Sequence, residues 1–572
     1  MGFVVKGQWI ELAMNEKKDF GLIPAERLPR SLAAEKRLKE IIERKDAAKI
    51  VAKMPTLDFY ILVKDVGMAD ALELIRFAQP EKLKECIDID CWKRYEPDMK
   101  NAALWTAGVL ETSDEKKLAS VLDELDNELI TLWFSRAFKV YPLYEDPDPF
   151  VDMTKPLVKT PDGDYLLEIN DEDEYGAIMA KLLDAIYSLD ITFARMLLEG
   201  ALAETPTLLT EDALRLRTAR MEELGFVDYI QAIEIFALID PNIPLEKLGR
   251  LEKPAQTIAE KDALVIWKLE ESDIFASALN AIEEPSERDI VITSLASLAN
   301  KLATAFDSSV ADDENFPEIL AFARDALSLA LAYRAGNNLA KAKSLLLATS
   351  ATIIFRIGYS LIKKRYYSLR ILFKKGLFGG GALPTLLDEP YKAFYTFLSD
   401  RLPKLCEIDD AMAMKPVRNF KTPTDLAIAD QIIAEFDILA SHFPAAMRVE
   451  LADFKPADEA TYAAVFGTRL ALWLIDEASV AEKLRPLTKT ELASAMKLMF
   501  VSKGRGRVFS PLACEGREKI LVEPISQRNE ELRAVAIRLA DRFTRYIEEQ
   551  AGGIDPEKPI DPKFVKGFWL KL

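Results

Sequence analysis

Apolar residues recur at three and four spacing along most of the chain, with Ser, Thr, Asp or Pro at the starts of the runs, so amphipathic helix is the dominant predicted element. Between residues 57 and 137 the runs are short: 59–66, 70–77, 80–87, 99–110, 114–125 and 127–138. Helices of this length are marginal alone in water, so these are expected to stack on one another. The pattern breaks at 139–175, where Pro142, Pro147, Pro149, Pro156 and Pro161 forbid continuous helix. Within that stretch, Asp162-Gly163 between extended apolar flanks predicts a small β-hairpin near 157–169.

Helical periodicity resumes near 174 and continues to about 335, punctuated by Pro241, Pro244, Pro254 and Pro285. Residues 338–375 read as a helical hairpin, stopped by Gly379, Gly380, Gly381 and Pro384. Helix groups follow at 427–442 and 459–500. Short strands are expected at 507–509 and 519–522, and a closing helix at 528–550. The expected fold is mainly α, with stacked short helices and helical hairpins in several packed units. In order these are an N-terminal helical arm (1–56), a short-helix superhelical module (57–138), a proline-rich linker with the hairpin (139–175), a helical domain (176–335), a basic helical hairpin with a glycine loop (336–384), a second helical domain (385–500) and a mixed C-terminal segment (501–572).

Composition narrows the class. The chain has 572 residues, of which 49% are hydrophobic and 29% charged, and its mean hydropathy is near zero, as for a soluble globular protein. The net charge of -18 opposes general attraction to nucleic acid or anionic lipid. Cys86, Cys91, Cys406 and Cys514 form no C-x-x-C pair and read as reduced thiols. The start of the chain lacks the basic head and apolar run of an export signal, and Lys6 departs from the myristoylation pattern. The longest apolar stretch, 345–355, ends at Arg356 and falls short of the roughly 20 residues a bilayer requires. A bacterial-type cytosolic protein with no membrane association is expected.

One charge feature stands apart. Between Asp325 and Asp388 there is no acidic residue, while Arg334, Lys341, Lys343, Arg356, Lys363, Lys364, Arg365, Arg370, Lys374 and Lys375 all fall there. At about 100° per residue, a helix over this stretch sets Arg356, Lys363, Arg370 and Lys374 in a stripe about 40° wide, with Tyr367 at its edge and Tyr359 and Tyr366 alongside. Phe355, Leu361, Ile362, Leu369, Leu372 and Phe373 take the opposite side. Arg356, Lys363, Tyr367, Arg370 and Lys374 are therefore the candidate anion- or partner-binding residues. The protein's own acidic remainder is the first expected counter-charge, an acidic protein partner the second, and nucleic acid or another polyanion the last.

Other features favour structural readings. Gly376 and the three glycines at 379–381 follow a helix and lead to Ala-Leu-Pro, whereas a phosphate loop precedes a helix and carries Lys-Ser or Lys-Thr. Lys503-Gly-Arg-Gly-Arg507 reads as an exposed turn. His442, the one histidine, is placed at a helix end before Phe443-Pro444. The acids at Asp88 and Asp90, at 145–152, at 171–174 and at 312–314 lack the spacing of a calcium loop and read as solvated. Arg215, Arg217 and Arg220 invite a substrate-clamp reading, but Glu222 and Glu223 nearby make surface ion pairs the expected one. Serine-hydrolase, zinc-protease, dinucleotide and nucleotide-triphosphate motifs are missing, so no catalytic residue, metal ligand or cofactor is expected.

The segment running from Val66-Gly67 through Pro80 to Asp90-Cys91-Trp92, together with Arg220-Met-Glu-Glu-Leu-Gly-Phe-Val-Asp-Tyr229 and its continuation to Glu234, resembles a family of large bacterial helical proteins known only as a domain of unknown function. That resemblance implies a helical fold and brings no activity with it. The early segment is also similar to the superhelical cytosolic domain of bacterial magnesium channels and the flagellar-switch helical domain, which implies a stacking module that meets another protein surface. The functional expectation is a cytosolic, non-enzymatic scaffold or adaptor with a protein-binding helical array and a local basic stripe for an acidic ligand. The alternative is a metal-assisted carboxylate enzyme acting on a phosphorylated or nucleic-acid substrate.

Overall fold

A computed structural model describes residues 32–571 except 171–174, 224–225, 245–246, 248–272, 309–314, 337, 376–377, 379–385, 455–459, 504–505, 556 and 559–564. The start of the N-terminal arm, the acidic runs at 171–174 and 312–314, Gly376, the glycines at 379–381 and the tip at 504–505 therefore lie outside the described residues. The fold is mainly α with small antiparallel strand pairs, as the periodicity implies. The chain divides into two compact units: Met1–Ile235 with Gln256–Trp267 and Ile292–Leu320, and Phe236–Ala255 with Lys268–Val291 and Ala321–Leu572.

The first unit begins with α1 (Leu32–Ile42), α2 (Ala47–Lys53), α3 (Thr56–Val66), α4 (Leu72–Phe77) and α5 (Pro80–Asp90). A two-stranded turn of β1 (Trp92–Lys93) and β2 (Glu96–Pro97) leads to α6 (Met99–Thr112), α7 (Glu115–Glu124) and α8 (Asn127–Ala137). Local chemistry sets the starts: Asp98 accepts from the N–H groups of Lys100 and Asn101, Asp114 accepts from Lys117, and Pro80 occupies the first turn of α5. Stability comes from stacking, with α3 on α5, α5 on α7 and α4 on α6. Phe59, Tyr60, Trp105, Trp133 and Phe134 are buried. Each such ring removes on the order of 150–250 Å² from water, or about 4–6 kcal/mol, which a single short helix cannot achieve alone.

The expected hairpin is present as β4 (Leu157–Lys159) and β5 (Tyr165–Ile169), with Val158 opposite Leu167, and it gains a third strand, β3 (Phe138–Pro142), in the order β3-β5-β4. Gly163 takes a φ of 80° in the turn and donates to Thr160 O at 2.9 Å, a conformation that favours glycine. Four helices follow: α9 (Tyr175–Leu189), α10 (Ile191–Ala203), α11 (Pro206–Glu223) and the short α12 (Tyr229–Ile233). Both α10 and α11 pack on α8, and α11 also packs on α5.

The second unit contains α13 (Ile274–Asn280), the early part of α14 (Pro285–Phe306), the later part of α15 (Phe316–Ala335), α16 (Leu339–Ala348), α17 (Ala351–Leu372) and α18 (Glu389–Ser399). The pair α16 and α17 was expected as a hairpin packed on itself. Both helices exist, but α16 packs mainly on α13, and α17 on α18 and on α19 (Pro423–Asp437). Two small strands, β6 (Lys404–Leu405) and β7 (Arg418–Asn419), pair ahead of α19. Where α17 meets α15, Gly358 lies against main chain: a Cβ added there would sit 2.1 Å from Ala326 O. Phe236, Phe322, Phe355 and Tyr359 pack around this crossing, with ring centroids 5.1–6.4 Å apart.

Beyond α19 come α20 (Phe443–Met447), α21 (Tyr462–Ile475), α22 (Lys489–Met499), a hairpin of β8 (Phe500–Lys503) and β9 (Gly506–Phe509), α23 (Pro511–Arg517), α24 (Glu523–Ser526) and α25 (Arg533–Ala551). Neither Pro444 nor Pro524 ends its helix. A π turn, Ile438–His442, joins α19 to α20, and another, Glu518–Val522, joins α23 to α24. In each the amide just before the proline reaches back five residues, from Phe443 to Ile438 O and from Glu523 to Glu518 O. The wider turn relieves the clash a proline ring makes with the carbonyl four residues back. The strand expected at 519–522 is thus a helical turn, and His442, expected at a helix end, lies inside a helical run that stops at Arg448, with φ of 53°. By contrast, β9 bears out the strand expected at 507–509.

Buried ions organise this core. Glu435 lies fully inside, accepting from Tyr391 Oη at 2.8 Å and pairing with Arg542 at 2.5 Å and Arg538 at 3.3 Å. Arg469, also fully buried, donates to the carbonyls of Ser479, Met447 and Glu482. Its guanidinium thus satisfies three main-chain acceptors, of which the Met447 carbonyl is buried.

Candidate functional site

The basic helix α17 forms as predicted, with Ser350 at its N-cap accepting from Ile353 N–H at 3.4 Å, but its cations divide into two sets. Arg356 is half-buried, and its Nε donates to Ala237 O at 3.0 Å. Arg334 acts similarly on Pro241 O at 3.0 Å, and Ser360 Oγ accepts from Ile239 N–H at 3.0 Å, so one face of this region fastens residues 237–241. Lys363 is buried, donates to Asp400 O at 2.7 Å and lies over the rings of Tyr359 and Tyr366 at 5.8 and 5.0 Å. Burial pushes its ammonium below the usual lysine range. Arg365 is spent in a two-pronged pair with Asp430 at 2.7 and 3.0 Å.

The expected outward stripe is therefore corrected in its first half. Lys363 serves the interior, and Arg356, half-buried, lends one nitrogen to a main-chain carbonyl where the helix crosses its neighbours. The second half stays outside. Lys364, Tyr367, Arg370, Ile371, Lys374 and Lys375 are exposed. Tyr367, Arg370, Ile371 and Lys374 fall at the i, i+3, i+4, i+7 spacing of a single helix face. Lys364, Arg370, Lys374 and Lys375 make no ion pair among the described residues. Their place at the end of α17 also complements the helix dipole.

A concave site that sequence reasoning did not find lies in the first unit. Arg217 and Arg220, expected to make surface pairs, turn to α5. Arg220 holds both oxygens of Asp88, at 2.6 and 2.9 Å, and reaches Asp126 at 2.6 Å. Arg217 donates from Nε to Asp88 O at 2.7 Å and lies over the Trp92 ring at 5.5 Å. Arg215 pairs with Asp212 at 3.6 Å. Nor are Asp88 and Asp90 solvated: both are buried, and Asp90 accepts from Tyr60 and Trp105 at 2.8 Å and pairs with Lys64 at 3.0 Å. The three-residue spacing of Arg217 and Arg220 placed them on one helix face from sequence alone, but their acceptor lies 129 residues or more away.

These groups edge a cleft of about 200 Å³ lined by Trp92, Arg94, Tyr95, Arg217, Phe226 and Tyr229 among others. Arg94, in the β1–β2 turn, has a φ of 56°, and Asp307, just past Phe306, one of 55°; the two pair at 3.5 Å. Left-handed backbone costs a non-glycine residue roughly 1–2 kcal/mol. Arg94 also lies over the Tyr229 ring at 5.1 Å, and Tyr95 donates to Asp228 at 3.3 Å. The two sequence stretches that carry the family resemblance, ending at Trp92 and beginning at Arg220, meet at this cleft.

Among the described residues, no three His, Cys, Asp or Glu side chains are arranged to hold a metal ion, and no helix is long and apolar enough to cross a membrane. The four cysteines are free thiols, three of them buried. Fold and surfaces define a helical protein with small accessory β-hairpins, an exposed basic helix end and an arginine-aromatic cleft. The family model described as a family of unknown function, DUF6178, matches residues 20–571, and the chain belongs to that family. No curated protein and no solved structure matches the chain, and the expected similarity of the early helices to magnesium-channel and flagellar-switch modules is not shown.

Proposed function

We propose that this protein is a cytosolic, non-enzymatic scaffold or adaptor that holds an acidic protein partner on the C-terminal face of α17. The observation that carries the reading is the cluster of Lys364, Arg370, Lys374 and Lys375 around exposed Tyr367 and Ile371, without carboxylate partners among the described residues, in a chain of net charge -18. A ring and an aliphatic side chain inside a cationic rim suit a short acidic segment with an apolar anchor: the centre supplies burial and the rim supplies orientation and encounter rate. The stacked helices α3 to α8 provide a second, broader surface of the kind repeat modules use. The alternative of a metal-assisted enzyme requires acids converging beside the stripe. Among the described residues, the carboxylate paired with α17 there, Asp430, is engaged by Arg365.

The test compares wild type with the double variant Arg370→Glu plus Lys374→Glu in affinity purification from native lysate, with and without nuclease. A partner kept by wild type, lost by the variant, weakened by salt and indifferent to nuclease supports the adaptor. Identical partner sets refute it, and a nuclease-sensitive interaction replaces it with nucleic-acid binding.

A further inference from the structure

The cleft of the first unit poses a charge problem that its own residues do not solve. Its carboxylates are engaged: Asp90 by Lys64, Asp98 by Lys93 at 2.8 Å, Asp307 by Arg94, and Asp228 by the Tyr95 hydroxyl. Asp88, beneath it, is held by both prongs of Arg220. Arg217 is the exception. One nitrogen serves a neutral main-chain carbonyl and the plane rests on an indole, so its two terminal amino groups make no hydrogen bond or ion pair among the described residues. Desolvation lowers the affinity of this guanidinium for its proton, to a pKa of about 10, yet it stays charged at neutral pH. A partly buried planar cation with its donor edge free is the group that recognises a carboxylate or phosphate.

The surroundings narrow the ligand further. Trp92, Phe226 and Tyr229 supply flat apolar walls, and the Trp92 indole N–H is buried without an acceptor among the described residues. Two left-handed residues, Arg94 and Asp307, are held in place by their mutual pair at the cleft, and strain of this kind gathers where a binding surface must be pre-shaped. The volume of about 200 Å³ admits a small molecule rather than a dinucleotide or a peptide.

We propose that this cleft binds a small molecule made of a single planar ring bearing one oxyanion, with Arg217 holding the oxyanion and the aromatic walls enclosing the ring. The source of the oxyanion, carboxylate or phosphate, is the remaining choice. The proposal is independent of the α17 surface.

The experiment titrates the full chain with phenyl phosphate, with benzoate, with inorganic phosphate and with benzyl alcohol, read by calorimetry and by tryptophan fluorescence. The expected result is saturable binding in the millimolar range or tighter for phenyl phosphate or benzoate, whichever matches the physiological class, with the ring-free and charge-free probes at least about tenfold weaker. Arg217→Gln weakens the preferred probe by about tenfold or more. Because Arg217 also supports α5, Thr218→Trp, which fills the cleft from its lining, serves as a second variant and abolishes binding while leaving the circular-dichroism spectrum unchanged. No saturable binding of either ring-bearing anion by wild type, or equal binding by a folded Thr218→Trp variant, overturns the proposal.

Discussion

Replacing Gly358 by alanine sets two well-known effects against each other, and the structure decides which wins. In an isolated helix the change is favourable by about 1 kcal/mol, because alanine loses less conformational freedom. In α17 the added Cβ would lie 2.1 Å from Ala326 O, 2.8 Å from its carbonyl carbon and 3.2 Å from its Cα, where ordinary contact begins at 3.4 Å. The obstacle is main chain and cannot rotate away, so the helices must part by about 1 Å. That gap forfeits a quarter to a half of each dispersion contact among Phe322, Phe355 and Tyr359. Overpacking of this kind costs about 3 kcal/mol, leaving a net loss of about 2 kcal/mol. Urea unfolding followed by circular dichroism measures it, with Gly553→Ala as control, since a Cβ there meets nothing within 4 Å. The control should stay within about 0.5 kcal/mol of wild type. A Gly358→Ala protein that unfolds at the same or higher urea concentration than wild type would refute the close-crossing argument.

Three further outcomes follow from buried charge. Arg542→Met leaves Glu435 inside with one arginine fewer and should cost about 3 kcal/mol, whereas adding Glu435→Gln should recover part of that loss; strictly additive urea midpoints would contradict a coupled network. Asp388 is buried near Thr461, Tyr462, Tyr546 and Lys392, accepts from Ala463 N–H at 3.2 Å, and desolvation pushes its carboxyl up to about 6 from an ordinary 3.8. Its folded value exceeds its unfolded one, so the protein loses stability as pH rises from about 4 to 6, by about 3 kcal/mol, and Asp388→Asn should melt progressively higher than wild type across that window; a pH-independent difference would exclude the mechanism. Lys363→Met removes the donor to Asp400 O and should cost about 1–2 kcal/mol in thermal melts, while Lys374→Met stays within about 0.5 kcal/mol; equal effects would mean that Lys363 is not committed to the interior.

The main helices, the Asp162-Gly163 hairpin and the acid-free stretch from 326 to 387 were legible in the sequence, because each is written in neighbouring residues: apolar spacing, a glycine able to take positive φ, a run of one charge sign. Local reading misjudged the helix end before Pro444 and the strand at 519–522, since in both places a π turn lets a helix run on into a proline. It also overestimated the basic stripe. A helical wheel gives the angle of Arg356 and Lys363 about the axis but not whether the carbonyls of Ala237 and Asp400 lie there to receive them. The Arg217 cleft was out of reach for the same reason. Sequence by itself determined which segments become helix and which residues share a face, because those depend on the 3.6-residue repeat; tertiary structure alone decided which charges are consumed and which stay free, because that depends on acceptors supplied from far along the chain.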